Sequence, residues 1–215
     1  MKVAVVPALN EEKRIEEVLK GLRKYVDKII VVDDGSRDKT SEVSSKYALV
    51  LRHVVNLGKG AALRTGCKKA LEFKPKYIFF IDGDGQHDPR EVPKFVKKLE
   101  EGYELVQGVR SYGKMPFLKR IGNLMINFLF KALFGLNVRD TQCGFKAFRA
   151  EVYPKIRWSS NDYFVETEIL AKAGMSGLKY AEVPIKTIYK ERYKGITALD
   201  GLKICTKILA LRLFG

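Results

Sequence analysis

Tyr77 to Pro89 reads YIFFIDGDGQHDP: an apolar run, an acidic turn built on two glycines, then a proline. A strand with no polar alternation is buried on both faces. Asp88 predicts an N-cap, Pro89 the first helical position and Glu91 the third residue after the cap, so a helix should run to Glu100. The same unit recurs upstream. VAVVP from Val3 precedes a helix over Glu11 to Tyr25, with Ile15, Val18, Leu19 and Leu22 on one face and Asn10 as its N-cap. KIIVVDD precedes a helix near Lys39 to Tyr47, and ALVLRHV one over Lys59 to Phe73. Apolar strands alternating with amphipathic helices predict an α/β fold, a Rossmann-like, mostly parallel sheet with helices on both faces.

The remainder is less regular. ELVQGVR (Glu104 to Arg110) predicts a further strand and Pro116 to Phe134 a long apolar helix. A helix near Phe164 to Ala173, a strand near Leu178 to Ile188 and a terminal helix from about Thr197 follow. No repeat or linker interrupts the chain. Its 215 residues fit one domain over 1–190 and a basic amphipathic segment over 191–215 that either completes this domain or contacts a membrane.

In open α/β sheets ligands bind beyond the carboxyl ends of the strands. There stand Pro7-Ala8-Leu9-Asn10-Glu11, Asp33-Asp34-Gly35-Ser36 and Asp82-Gly83-Asp84-Gly85. Asp82 and Asp84 share one side of an extended segment and can converge on a hard cation, Mg²⁺ or Mn²⁺, with Gln86 adding a carbonyl oxygen. Asp33 and Asp34 suit either a ribose hydroxyl or base N–H, or the N-terminus of the next helix. In NLGKGAALRTG (Asn56 to Gly66) glycines open a helix where Lys59 can meet a phosphate, without Walker A spacing. His87 reads as a metal ligand or as a hydrogen-bonded loop residue.

The formal net charge of +15 calls for an anionic partner. Lys114 to Arg139 holds five basic residues and no acidic one; Lys186 to Gly215 holds seven basic and two acidic. Both carry apolar helical faces, Phe117, Ile121, Leu124 and Phe128 in the first, Leu199, Leu202, Ile208 and Leu209 in the second. Such helices predict a protein lying on an anionic membrane, core packing being the alternative. The most apolar stretch, Ile121 to Leu136, is interrupted by Asn123, Asn127 and Lys131 and falls short of the about 20 residues a bilayer needs. Three scattered cysteines and two histidines form neither a disulfide framework nor a zinc site, which points to a reducing cytosol. No nucleic-acid-binding motif accompanies the charge, although a non-catalytic basic nucleic-acid-binding module is the competing reading of another class.

PALNEE, VVDDGSRDKT, NLGKGAALRTG, DGDGQHDP and DTQCGFKAFR stand in the order found in family 2 glycosyltransferases of the GT-A fold, and the chain resembles most the dolichyl-phosphate mannose and glucose synthases. The resemblance implies metal-dependent, inverting transfer of a hexose from a nucleotide-diphosphate sugar, of the GDP-mannose or UDP-glucose type, to a dolichyl or polyprenyl phosphate. It places the enzyme peripherally on the cytoplasmic face of the membrane. It implies that Pro7, Ala8, Leu9, Glu11, Asp33, Asp34, Lys59, Asp82 and Gly83 surround the nucleotide sugar, and that Asp82, Asp84 and Gln86 hold the metal. Asp140, Gln142, Cys143 and Gly144 match the acceptor motif; Glu166 and Glu168 stand where relatives carry acidic residues beside the active site. Arg192, with Lys194, is the candidate clamp for an acceptor phosphate. Leu9 replaces an aromatic residue common in mannose synthases, and Arg192 to Ala198 lacks the lysine of Arg-x-x-Gly-x-Ser-Lys. A sugar or protein hydroxyl is the alternative acceptor.

Overall fold

The computed structural model describes residues 1–110, 127–186, 188 and 206–212. Four strand–helix units open the chain: β1 (Lys2–Ala8) and α1 (Ile15–Leu22), β2 (Lys28–Asp33) and α2 (Thr40–Ser45), β3 (Leu49–Arg52) and α3 (Lys59–Glu72), β4 (Tyr77–Phe80) and α4 (Val92–Glu100). β5 (Leu105–Arg110), helix α5 over 127–134, β6 (Lys146–Arg149), the short α6 (Tyr153–Ile156), α7 (Val165–Met175), β7 (Tyr180–Ile185) and helix α8 over 206–212 follow.

One seven-stranded sheet runs β3-β2-β1-β4-β6-β5-β7. Its pairs are parallel except that β6 is antiparallel to both β4 and β5. KAFR is too short to announce itself in the sequence as a strand, and its direction is set by the neighbours it joins. Reversal places its first residue, Lys146, opposite Phe80 at the last position of β4 and beside Gln107 of β5.

Alternation along the strands divides the core in two. Val3, Val5, Ile30, Val32, Ile78 and Phe80 face α3 and α7. Ala4, Val6, Ile29, Val31 and Phe79 face α1 and α4, where Phe95 stacks on Phe145 at 4.2 Å between ring centroids. Gly66 of α3 lies directly against Val5 and Val32, which brings this helix close to the sheet.

Two expectations are corrected. Helix α1 starts at Ile15, not Glu11, and Asn10 does not cap it. At φ +56° the Asn10 side chain turns instead to accept from Arg37 N at 2.9 Å, while its own N–H donates to Ser36 Oγ at 2.9 Å. The basic helices are also not uniformly lipid-facing. Phe130 and Phe134 of α5 and Ile208 of α8 are buried in the core, and Arg212 Nε donates to Leu133 O at 3.1 Å. Phe128 is 76% exposed and Leu209 44%. Phe117, Ile121, Leu124, Leu199 and Leu202 lie outside the described residues. No described helix is long and apolar enough to cross a membrane.

Candidate active site

The acidic turn leaves β4 against the end of β1. Gly83 N donates to Pro7 O at 3.3 Å, and a side chain on Gly83 would meet Ile15 and Ala8. Asp84 Oδ1 accepts from Gln86 N at 2.9 Å, and Gly85 takes φ +71° to close the turn. Asp88 then caps the helix as the sequence predicts, accepting from Arg90 N at 2.9 Å, although the first turn, Pro89–Glu91, is 3₁₀.

A row of alternating charges starts at this turn. Lys59 Nζ lies 2.5 Å from Asp82 Oδ1 and 2.6 Å from Glu166 Oε1, and Lys146 Nζ lies 2.9 Å from Glu166 Oε2. Both oxygens of the buried Glu166 carboxylate therefore face an ammonium, Oε1 that of Lys59 and Oε2 that of Lys146. Burial works to raise the Asp82 pKa, but the Lys59 ammonium outweighs it and holds Asp82 below its usual value. Among the described residues Asp84 has no such partner: burial, and then repulsion from Asp82, push it up to about 6. Burial opposes the charge on Lys59, yet Asp82 and Glu166 raise its pKa.

His87 is buried beneath the turn, its ring tilted against Phe145. Among the described residues Nδ1 has no hydrogen-bond partner, and it stands 3.9 Å from Asp82 Oδ2; Nε2 is 4.0 Å from Cys143 Sγ. Burial pulls its pKa down to about 4, so the ring is neutral at physiological pH.

The two aspartates ending β2 are buried and engaged. Asp33 accepts from Ser36 N at 2.8 Å and from Ser41 Oγ. Asp34 accepts from Leu57 N at 3.0 Å and Gly58 N at 2.8 Å, with His53 Nδ1 at 2.6 Å. Asp34 thereby shapes the loop that delivers Lys59, since Gly58, at φ +95°, immediately precedes α3. A loop over 159–161 braces the same helix end: Gly60 N donates to Asn161 O at 2.7 Å and Trp158 Nε1 to Gly60 O at 2.8 Å. Glu168 holds that loop by accepting from Ser159 N at 2.9 Å and Ser160 N at 3.0 Å.

Residues 140–146 close the opposite side. Asp140 pairs with Arg110 at 2.7 Å, which overcomes burial and keeps the acid ionised. Gln142 Nε2 donates to Thr167 Oγ1 at 2.6 Å. Burial pushes the Cys143 thiol up to about 12, and its carbonyl accepts from Gln107 Nε2 at 3.0 Å and Lys146 Nζ at 2.5 Å. Gly144 lies directly on the Asp82 carboxylate and the Lys59 ammonium.

The family model described as glycosyl transferase family 2 matches residues 3–157. The chain belongs to glycosyl transferase family 2. It is 32% identical to the UDP-N-acetylglucosamine–dolichyl-phosphate N-acetylglucosaminyltransferase of Methanococcus voltae, over 97% of this chain and 95% of that one. It is 31% identical to a dolichyl-phosphate beta-glucosyltransferase of Trichomonas vaginalis, over 98% of this chain and 72% of the relative. Among solved structures it resembles glucosyl-3-phosphoglycerate synthase from Mycobacterium tuberculosis in complex with Mn²⁺, UDP and glucosyl-3-phosphoglycerate, with TM-score 0.75 and 26% identity over 99% of this chain and 78% of that one. The protein is a glycosyltransferase with the GT-A fold, like the polyprenyl-phosphate sugar synthases.

In this family 2 enzyme the strand ends bring Pro7, Ala8, Asp33, Asp34, Lys59, Asp82, Gly83 and Asp84 to one edge of the sheet, with Gly144 and Glu166 facing them. Leu9 is 37% exposed there, and Gln86 is exposed. Glu11 is half-buried, its N–H bonded to Thr40 Oγ1 at 2.8 Å and its carboxylate 3.0 Å from Arg14. Asp140 and Cys143 turn their side chains into the protein, so their part of the motif meets the site through backbone and through Gly144. Arg192 and Lys194 lie outside the described residues. Among the described residues no three His, Cys, Asp or Glu side chains group as a metal cluster. The sequence reading passed over Lys146 and Gln107; a lysine inside the apolar run GFKAF was the available signal.

Proposed function

We propose that the protein transfers a hexose from a nucleoside-diphosphate sugar to a dolichyl or polyprenyl phosphate. The observation that carries this reading is the Asp82–Asp84 pair just beyond the end of β4, where burial, and then repulsion from Asp82, raise Asp84 to about 6. A donor set of two carboxylates with the Gln86 amide within two residues fits a hard divalent cation, Mg²⁺ or Mn²⁺. When bound, the cation would neutralise charge on the departing nucleoside diphosphate. The neighbouring structure with Mn²⁺ and UDP supports that fit.

Pro7, Ala8, Leu9, Glu11, Asp33 and Asp34 would surround the nucleoside, directly or by shaping the loops that do. Lys59, freed from Asp82, would add its charge to the diphosphate. Glu166 offers Oε1 to a hydroxyl of the sugar. The acceptor phosphate has a second pKa of about 6 and is largely dianionic at neutral pH, so it attacks without a strong base. It needs its charge held, which we assign to Arg192 with Lys194. The two basic segments would bring the enzyme to the cytoplasmic membrane surface where such acceptors reside.

The solved neighbour bound to glucosyl-3-phosphoglycerate favours a second reading, a small phosphorylated acceptor. Purified protein with Mn²⁺ and UDP-glucose, UDP-N-acetylglucosamine or GDP-mannose should yield a glycolipid with polyprenyl phosphate, detected by mass spectrometry. Product with 3-phosphoglycerate and none with the lipid would replace the first reading by the second.

A further inference from the structure

Lys146 is fully buried in the middle of the sheet, between β4 and β5. A charged side chain there costs free energy that a methionine of similar length would not. Its ammonium makes two directed contacts, Glu166 Oε2 at 2.9 Å and Cys143 O at 2.5 Å. Gln107 Nε2 donates to the same carbonyl at 3.0 Å and to Asp140 O at 3.0 Å. The turn that carries Gly144 is therefore tied to α7 through this buried lysine as well as through Gln142 and Thr167. Glu166 is thus held at both oxygens, by Lys59 at Oε1 and by the hydrogen bond from Lys146 at Oε2.

We propose that Lys146 is a positioning residue of glycosyl transfer: it clamps Glu166 by Oε2 so that Oε1 stays aimed beside Lys59. The proposal rests on the reading that Glu166 Oε1 meets the transferred sugar. Lys146 itself touches no substrate and acts through Glu166. Its loss should therefore lower the rate of transfer more than it weakens donor binding. A misplacement of about 1 Å at a reacting group costs on the order of 10²-fold in rate.

The test is a double-mutant cycle of Lys146→Met and Glu166→Gln, read as kcat for transfer, donor affinity by calorimetry and thermal unfolding. Lys146→Met should lower kcat about 10²-fold, more than it weakens donor affinity. The double variant, which removes both charges and so spares the fold an unpaired carboxylate, should be no slower than Glu166→Gln alone. Losses that multiply in the double variant would overturn the positioning role while leaving Glu166 at the sugar. Near-normal turnover of Glu166→Gln would instead remove Glu166 from the sugar, and the role of Lys146 would fall with it. A decline in kcat no larger than the unfolded fraction would also overturn the proposal.

Discussion

Gly144 and Asp82 are in such close contact that a Cβ on the glycine would overlap the carboxylate. The two residues lie in different turns, Gly144 just before β6 and Asp82 just after β4, and the absence of one side chain lets the turn over 140–146 close on the acidic turn. Gly144→Ala should therefore displace Asp82 and cost on the order of 10²-fold in transfer, with the far-ultraviolet circular dichroism of the native fold. Activity within about twofold of wild type, a difference of under 1 kcal/mol, would show that Asp82 can move without consequence.

Asp84 carries a stability cost. Its folded pKa of about 6 lies above the usual carboxylate value of about 3.9. A raised acid binds its proton more tightly when folded, so its contribution is most favourable below pH 4 and declines as pH rises toward and through 6. Asp84→Asn should raise the melting temperature of the metal-free protein at pH 7.5, by roughly 3 °C per kcal/mol relieved, and hardly at pH 4. The same variant should lose transfer. An equal shift at both pH values would contradict the ionised-pair explanation.

Asp34→Ala leaves the Leu57 N–H without its partner, and leaves Gly58 N only Asn56 Oδ1 and His53 only Thr65 Oγ1. A lost buried acceptor costs about 1–3 kcal/mol, and the loop before Lys59 should loosen. We expect a lower melting temperature together with a raised donor KM, and partial recovery of both in Asp34→Asn. Loss of stability at constant donor KM would detach this loop from nucleotide binding.

Phe128 and Phe130 separate the two fates of the basic helix. Phe130→Ser should destabilise the protein by about 3 kcal/mol or more, because Phe130 is buried in the core. Phe128→Ser should leave the melting temperature alone but weaken sedimentation with anionic liposomes, which salt should also reverse. Unchanged sedimentation of the Phe128 variant would remove this face from the membrane.

Arg192→Ala should raise the KM for the phosphate acceptor, or lower kcat, with donor affinity unchanged. Arg192→Lys should restore only part, because a lysine lacks the guanidinium fork. Parallel loss of donor affinity in calorimetry would move Arg192 to the diphosphate.

Much of this architecture was legible where local chemistry and global fold agree. The runs VAVVP, IIVV and YIFF are apolar without alternation because both their faces are covered, and the acids that end them could be placed at one edge before any coordinates. Asn10 was misread because its preference for positive φ and its preference for caps look alike in sequence; Ser36 and Arg37, distant in the chain, decide between them. Lys146 escaped because a lysine is ordinarily solvated, and its partner Glu166 lies 20 residues on. The basic helices divided between core and solvent because an apolar stripe records that burial occurs without recording against what.

The reversed direction of β6 has a consequence for how such enzymes diversify. β5 ends at Arg110 on the catalytic edge and β6 begins at Lys146 on the same edge. The whole excursion between them leaves and returns at one rim, so residues can be added or removed there without shifting the pairing of a single strand. Selection can work on that excursion while the pairing of the sheet stays as it is.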